Sequence, residues 1–118
     1  MAEKYEYDLV IVGAGSAGLV AATYACRLGA RIALVEKARV GGDCTWTGCV
    51  PSKALIHVAK VAHAARTAHE YGIGAQDRNL ITDMTRVRAY IDRAISDVYR
   101  QETPELLQDE GIDVVLAQ

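Results

Sequence analysis

The chain has 118 residues, 51% of them hydrophobic and 24% charged, with a formal net charge of −2. That composition fits one small soluble domain, excludes a disordered chain, and gives no reason to expect nucleic acid as a partner. The longest purely apolar run near the N-terminus, Leu9 to Val12, is too short for a signal peptide or a membrane span, so a cytoplasmic protein without a membrane partner is expected.

Tyr7 to Val12 is β-rich and ends in an unbroken apolar run, the pattern of a strand buried on both faces. Gly13 to Gly18 interrupts it. Ala17 to Leu28 reads as an Ala-rich helix closed by Gly29, and Arg31 to Glu36 as a second strand centred on Ile32 to Val35. Strand, helix and strand within about thirty residues match a βαβ unit with parallel strands. The spacing next predicts a long helix from Pro51 to Tyr71, with Leu55, Val58, Ala59 and Ala62 on one face and Gly72 as its stop. A loop is expected over Asp77 to Leu80. A second helix is expected from Met84 to Gln101, with Val87, Ile91, Ala94 and Val98 on one face. Thr103-Pro104 caps a short helix that stops before Gly111, and Ile112 to Ala117 is a third strand. There is no internal repeat, low-complexity tract or linker.

The turn after the first strand, GAGSAG, places Gly13, Gly15 and Gly18 directly before a helix. Gly13 permits the tight turn, Gly15 lets the backbone approach a pyrophosphate, and Gly18 lets the helix pack close to the sheet, helped by Ala22. Phosphates would sit at the helix N-terminus, where free N–H groups and the helix dipole favour negative charge. Glu36 follows at the end of the second strand, placed to accept hydrogen bonds from a ribose 2′-hydroxyl and to repel a 2′-phosphate. These features point to a dinucleotide site without separating FAD from NAD.

Two of the three cysteines, Cys44 and Cys49, stand five positions apart in GGDCTWTGCVPSK. A structural disulfide, half a metal site, a working redox pair and coincidence are the readings to weigh. In a regular helix their Cα atoms would lie about 8–9 Å apart, beyond the roughly 7 Å that a disulfide tolerates. They can pair only if the segment between them is not regular helix, and Gly48 supplies the flexibility. Pro51 suits the first turn of the following helix, so Cys49 falls at or just before a helix N-terminus, where a thiol pKa is lowered. That favours a reactive cysteine over an inert one. Zinc usually takes four ligands, but His57, His63 and His69 recur at about 240° per step on a helix and share no face. The histidines read as surface residues and Cys26 as a small buried hydrophobe.

Together, the Gly13–Gly18 turn, Glu36 and the stretch from Gly41 to Lys53 resemble the N-terminal segment of the flavoprotein disulfide reductases, the class I pyridine nucleotide-disulfide oxidoreductases. The Ser52-Lys53 ending is more similar to the dihydrolipoamide dehydrogenase and mercuric reductase branches than to the glutathione reductase branch. The resemblance implies an α/β, Rossmann-like FAD-binding domain of parallel strands, with a long helix pair inserted between the second and third strands. It implies FAD as the nucleotide, with Gly13, Gly15, Ser16, Ala17 and Gly18 at its pyrophosphate and Glu36 on its adenosine ribose. Lys37 is a further candidate contact, although a solvated strand-end charge is its plainer reading. Gly41, Gly42, Asp43 and Cys44 would line the stretch from pyrophosphate to flavin, Lys53 the reactive edge of the flavin, and the Ala117 backbone the adenine. Cys49 corresponds to the thiolate facing the flavin, and so to the thiol of lower pKa; Cys44 corresponds to the interchange thiol. Electrons would pass from NAD(P)H through FAD to the Cys44–Cys49 disulfide, and on to a disulfide or metal-ion substrate.

Two departures bear on the substrate. Asp43 stands where many members carry Thr, so its carboxylate must be solvated, hydrogen-bonded or turned away from a pyrophosphate. Trp46 and Thr47 replace the usual small polar or aliphatic residues of the cysteine loop. Family members are also several times longer. Residues 1–118 are therefore expected to be the N-terminal portion of an incomplete FAD-binding domain, with the nicotinamide and interface domains absent. A homodimer is expected at full length, with NAD(P)H bound by sequence not present here and no turnover by the 118 residues alone. A mercuric-reductase-like oxidoreductase is the leading reading. The alternatives are a dihydrolipoamide dehydrogenase segment, a free-standing FAD-binding redox module without its own NAD(P)H site, and a non-catalytic chain.

Overall fold

The computed structural model describes residues 6–74 and 80–117. Three parallel strands, β1 (Leu9–Val12), β2 (Ile32–Glu36) and β3 (Ile112–Leu116), form one sheet in the order β1-β2-β3. Leu9 pairs with Ile32, and Ile32 with Ile112, so the three strands start level. Helix α1 (Ser16–Arg27) carries the chain from β1 to β2, and α5 (Pro104–Asp109) precedes β3. Leu19 and Ala22 of α1, Ile32 and Leu34 of β2, Leu107 of α5, and Ile112 and Val114 of β3 form one buried cluster on a single face of the sheet. Alternation in the strands sends these side chains to that face and their neighbours to the other.

The opposite face has no covering layer over β1 among the described residues, and Val10 and Val12 are 55% and 84% exposed there. The both-faces reading of the sequence therefore fits β2, where Ile32, Ala33 and Leu34 are all buried, and not β1, which lies at the sheet edge. The starting ends of the strands are tied by side chains. Asp8 accepts from Arg31 Nη2 at 2.8 Å, Arg31 Nε at 3.0 Å and the Arg31 peptide N–H at 2.9 Å, and the Tyr7 hydroxyl donates to Asp113.

Between β2 and β3 come α2 (Gly42–Trp46), α3 (Cys49–Thr67) with a 3-10 turn over Ala68–Tyr71, and α4 (Met84–Tyr99). Gly72 ends the 3-10 turn with φ +76°. Asp83 caps α4 by accepting from the Thr85 and Arg86 peptide N–H groups, and Thr103 caps α5 by accepting from that of Leu106. Helices α3 and α4 pack together, with the His57 and Tyr90 rings 6.1 Å apart. The inward face of α3 is Ala54, Val58 and Ala62; Leu55 and Ala59, expected on that face, are exposed, Leu55 by 47%. Apart from Leu80, the loop expected over Asp77 to Leu80 lies outside the described residues. The result is the expected α/β arrangement, Rossmann-like, with α3 and α4 inserted between the second and third strands.

Candidate active site

The site lies at the finishing ends of the parallel strands, where open α/β sheets bind ligands. The Gly13 N–H donates to the Val35 carbonyl at 2.7 Å, so the turn stays attached to β2 after β1 has ended. α1 starts at Ser16 with no capping side chain and no acid in its first turn. Its first peptide N–H groups point out of the helix end, beside an open groove of about 530 Å³ lined by Val12, Gly13, Gly15, Ser16, Ala17 and Gly18, among others. Nothing lies within 4 Å of where a Cβ would stand on Gly13 or Gly15, so the space over the turn is clear. A Cβ on Gly18 would overlap the Gly13 carbonyl oxygen, which is the close helix approach expected of that glycine.

Glu36 closes this turn from the β2 side. Its Oε2 accepts the Ala14 N–H at 2.8 Å and its Oε1 the Ala38 N–H at 2.8 Å. Those peptide groups, Ala14 first, hold its carboxyl below the usual range. Each oxygen keeps a lone pair, so a sugar hydroxyl could still be accepted. The Ala117 N–H donates to the Glu36 carbonyl at 2.9 Å, leaving the carbonyl of Ala117 for any contact with a base. Lys37 is exposed, and among the described residues no hydrogen bond or ion pair ties its side chain to the site.

The cysteine segment is built onto the same turn. The Gly41 N–H donates to the Ala14 carbonyl at 2.8 Å. Gly42, with φ +58°, lies so close that its Cβ would fall 2.8 Å from Gly15 Cα. The one-and-a-half-turn helix α2 then presents Cys44. The Asp43 carbonyl accepts the Thr47 and Gly48 N–H groups at 3.0 and 2.6 Å, which reverses the chain into α3, whose first residue is Cys49. The Asp43 side chain is exposed, as a carboxylate near an anion site requires. Cys44 and Cys49 are free thiols within hydrogen-bonding reach of each other, the Ser16 hydroxyl reaches Cys44, and Lys53, one turn into α3, lies near both.

In this flavin-free chain the two thiols are shifted in opposite directions. The hydrogen bond from Cys49, then that from Ser16, pushes the Cys44 thiol down, whereas Cys49 is pushed up by donating to Cys44. Ser16 was foreseen beside a pyrophosphate and not beside a thiol. Thr45 and Glu102 were not foreseen at all. Thr45, 3% exposed, donates its hydroxyl to Glu102 Oε2 at 3.0 Å. Trp46 turns away from the thiols, with its Nε1 donating to the Val40 carbonyl at 2.8 Å and its ring 4.8 Å from Tyr99.

The chemistry available is thus thiol–disulfide exchange at a paired dithiol, immediately beside a backbone cradle for an anion. Among the described residues there is no group of three or more His, Cys, Asp or Glu that could hold a metal ion. No helix of the described residues is long and apolar enough to cross a membrane.

The family model described as pyridine nucleotide-disulphide oxidoreductase matches residues 7–117. The chain is 38% identical over 109 residues to a dihydrolipoyl dehydrogenase of Bacillus subtilis (strain 168), covering 92% of this chain and 22% of that protein. It is 40% identical over 116 residues to a dihydrolipoyl dehydrogenase of Pseudomonas aeruginosa, covering 98% and 25%. A mercuric reductase of Bacillus cereus is 29% identical over 112 residues, covering 95% and 17%. The chain therefore spans a quarter or less of the length of these curated relatives. Its glycine turn, its acid at the end of β2 and its facing thiols all fall within the matched residues, and the chain belongs to the pyridine nucleotide-disulphide oxidoreductase family.

Proposed function

We propose that this chain is the N-terminal, flavin-binding and dithiol-bearing portion of an FAD-dependent NAD(P)H:disulfide oxidoreductase. The observation that carries the reading is the Cys44–Cys49 thiol pair, held against the glycine turn by Gly41, Gly42 and Ser16. The uncapped start of α1 and the open space over Gly13 and Gly15 fit a pyrophosphate, which the N–H groups of Ser16, Ala17 and Gly18 would hold. Glu36 would accept from the adenosine ribose, the Ala117 carbonyl would meet the adenine, and Gly41 to Cys44 would follow the cofactor toward its flavin end. Bound FAD would supply the two-electron relay between NAD(P)H and the cysteine pair.

The residues here perform the exchange. The Cys44 thiolate attacks one sulfur of a disulfide substrate, forming a mixed disulfide and releasing one thiol. Cys49, deprotonated with help from the nearby Lys53 charge, attacks Cys44 and releases the second thiol, leaving the Cys44–Cys49 disulfide. Two electrons and two protons return it to the dithiol. Relatives named dihydrolipoyl dehydrogenase share 38% and 40% identity against 29% for the mercuric reductase, which favours a small disulfide or dithiol substrate. Mercuric ion, bound between the two thiolates before reduction, is the second reading, supported by that mercuric reductase relative. A reducing cytoplasmic setting keeps such a pair available. A homodimer at full length, with NAD(P)H bound outside this chain, completes the reading.

The test is the full-length protein purified with its flavin spectrum recorded, then assayed for NADH and NADPH oxidation with lipoamide and with mercuric ion. The expected result is bound FAD and turnover that falls at least about a hundredfold in both Cys44→Ala and Cys49→Ala. A protein that neither carries nor takes up FAD, or that keeps full turnover without either cysteine, overturns the proposal.

A further inference from the structure

Helix α2 has only five residues, Gly42–Trp46, too few to hold their own orientation, because a single helical turn is unfavourable by itself. Yet its rotation decides where Cys44 points. Successive residues of a helix differ by about 100° in direction, so wherever Thr45 and Trp46 are fixed, Cys44 is fixed as well. Both are fixed from outside the helix. Thr45 is 3% exposed, and its hydroxyl donates to Glu102 Oε2 at 3.0 Å. The same Glu102 oxygen lies 3.2 Å from where a Gly41 Cβ would stand, so this carboxylate sits against the start of α2 as well as its middle. Trp46 is clamped between the Val40 carbonyl, 2.8 Å from its Nε1, the Tyr99 ring at 4.8 Å and the Arg39 guanidinium 4.0 Å over its ring. Tyr99 and Glu102 are joined in turn, since the Glu102 N–H donates to the Tyr99 carbonyl at 2.9 Å. The corner between α4 and α5 thus grips α2 at Thr45 and Trp46.

We propose that Glu102, acting through Thr45, and Trp46, acting through Tyr99, are positioning residues that aim Cys44 at Cys49 and so set how readily the pair closes into a disulfide. The proposal rests on the reading of Cys44 and Cys49 as a redox pair. It gives a role to Trp46, the departure from the family pattern that the exchange chemistry leaves unused. Closure converts two thiols and one glutathione disulfide into the Cys44–Cys49 disulfide and two glutathione thiols. A loosened α2 loses the pre-alignment of the sulfurs and pushes this balance back toward the dithiol.

The experiment equilibrates the full-length, flavin-loaded protein with a glutathione redox buffer under argon, traps free thiols by alkylation, and counts them by mass spectrometry. Thr45→Val, Glu102→Ala and Trp46→Leu are expected to lower the closure constant about three- to tenfold, the range of one net hydrogen bond. Thr45→Ser and Glu102→Gln keep a donor and an acceptor in place and are expected to stay within about twofold of the parent. Thr45→Val is nearly isosteric, so it reports even if Glu102→Ala fails to fold. The proposal is overturned if Thr45→Val stays within twofold of the parent, or if Thr45→Ser shifts as far as Thr45→Val. A parent protein whose two cysteines never close in oxidised glutathione would instead overturn the redox-pair reading itself.

Discussion

The Ala14 peptide N–H donates to Glu36 Oε2 at 2.8 Å, across the gap between the glycine turn and the end of β2. An acid of the kind that recognises a ribose therefore also builds the turn that would hold the pyrophosphate. Glu36→Ala strips the acceptor from the Ala14 and Ala38 N–H groups together. Because the site is partly open and water can replace part of the loss, a destabilisation of about 1 kcal/mol is expected, read as a lower urea midpoint at unchanged slope. Flavin retention should fall in the same variant, whereas a Glu36 that met only the ribose would leave the midpoint of the flavin-free protein unmoved.

The same geometry makes an acid-side prediction elsewhere. Asp8 is lowered from 3.8 to about 2, first by the side-chain hydrogen bond from Arg31 and then by the Arg31 peptide N–H. A carboxyl held down in the folded state stabilises fully above its unfolded pKa, and that contribution is lost as pH falls through the folded value. Unfolding midpoints should therefore drop between about pH 4 and pH 2 in the parent, and the Asp8→Asn variant should show a flatter profile over that window. Equal slopes in the two proteins would mean the Asp8–Arg31 pair carries no stability.

Gly18→Ala and Gly42→Ala test the join between turn and cysteine segment. The first sets a methyl into the Gly13 carbonyl, and the second sets one 2.8 Å from Gly15 Cα at a φ of +58°. Each should cost about 2 kcal/mol or more, although alanine is otherwise the better helix former. Thermal unfolding of the two variants measures this, and a gain in stability for either would contradict the close approach described.

In the reduced, flavin-free protein, Cys44 receives hydrogen bonds from Cys49 and Ser16, so its thiolate should be the more abundant near neutral pH. Limiting iodoacetamide with peptide mapping should find Cys44 modified first. Ser16→Ala removes one of those bonds, and the pH profile of Cys44 alkylation should move upward. Preferential labelling of Cys49 would restore the order expected from its place at the start of α3.

Much of this was legible in the residues. Apolar runs marked the three strands, Thr103-Pro104 marked the start of α5, and GAGSAG with Glu36 marked the finishing ends of β1 and β2. α2 was not legible, because a five-residue helix opened by two glycines of positive φ carries no hydrophobic period. The start of α3 at Cys49 was marked by Pro51, but the break before it was hidden, because it is made by backbone hydrogen bonds to the Asp43 carbonyl and not by a capping side chain. The exposure of β1 followed from its edge position, which its sequence does not encode. Glu102 lies 57 positions from Thr45, and only the fold brings the two together. Trp46 gave the one available signal, as an unusual residue in an otherwise familiar stretch.

The central claim is that a flavin and the Cys44–Cys49 pair form one electron-accepting unit, and anaerobic reductive titration tests it most directly. The full-length protein, titrated with dithionite, should take up about four electrons per flavin, two on FAD and two on the disulfide. The Cys44→Ala and Cys49→Ala variants should each take up about two. In Cys44→Ala, the remaining Cys49 thiolate should give a long-wavelength charge-transfer band that is missing from Cys49→Ala. A parent protein that has first been oxidised with excess disulfide and is then fully reduced by only about two electrons per flavin would contradict the account.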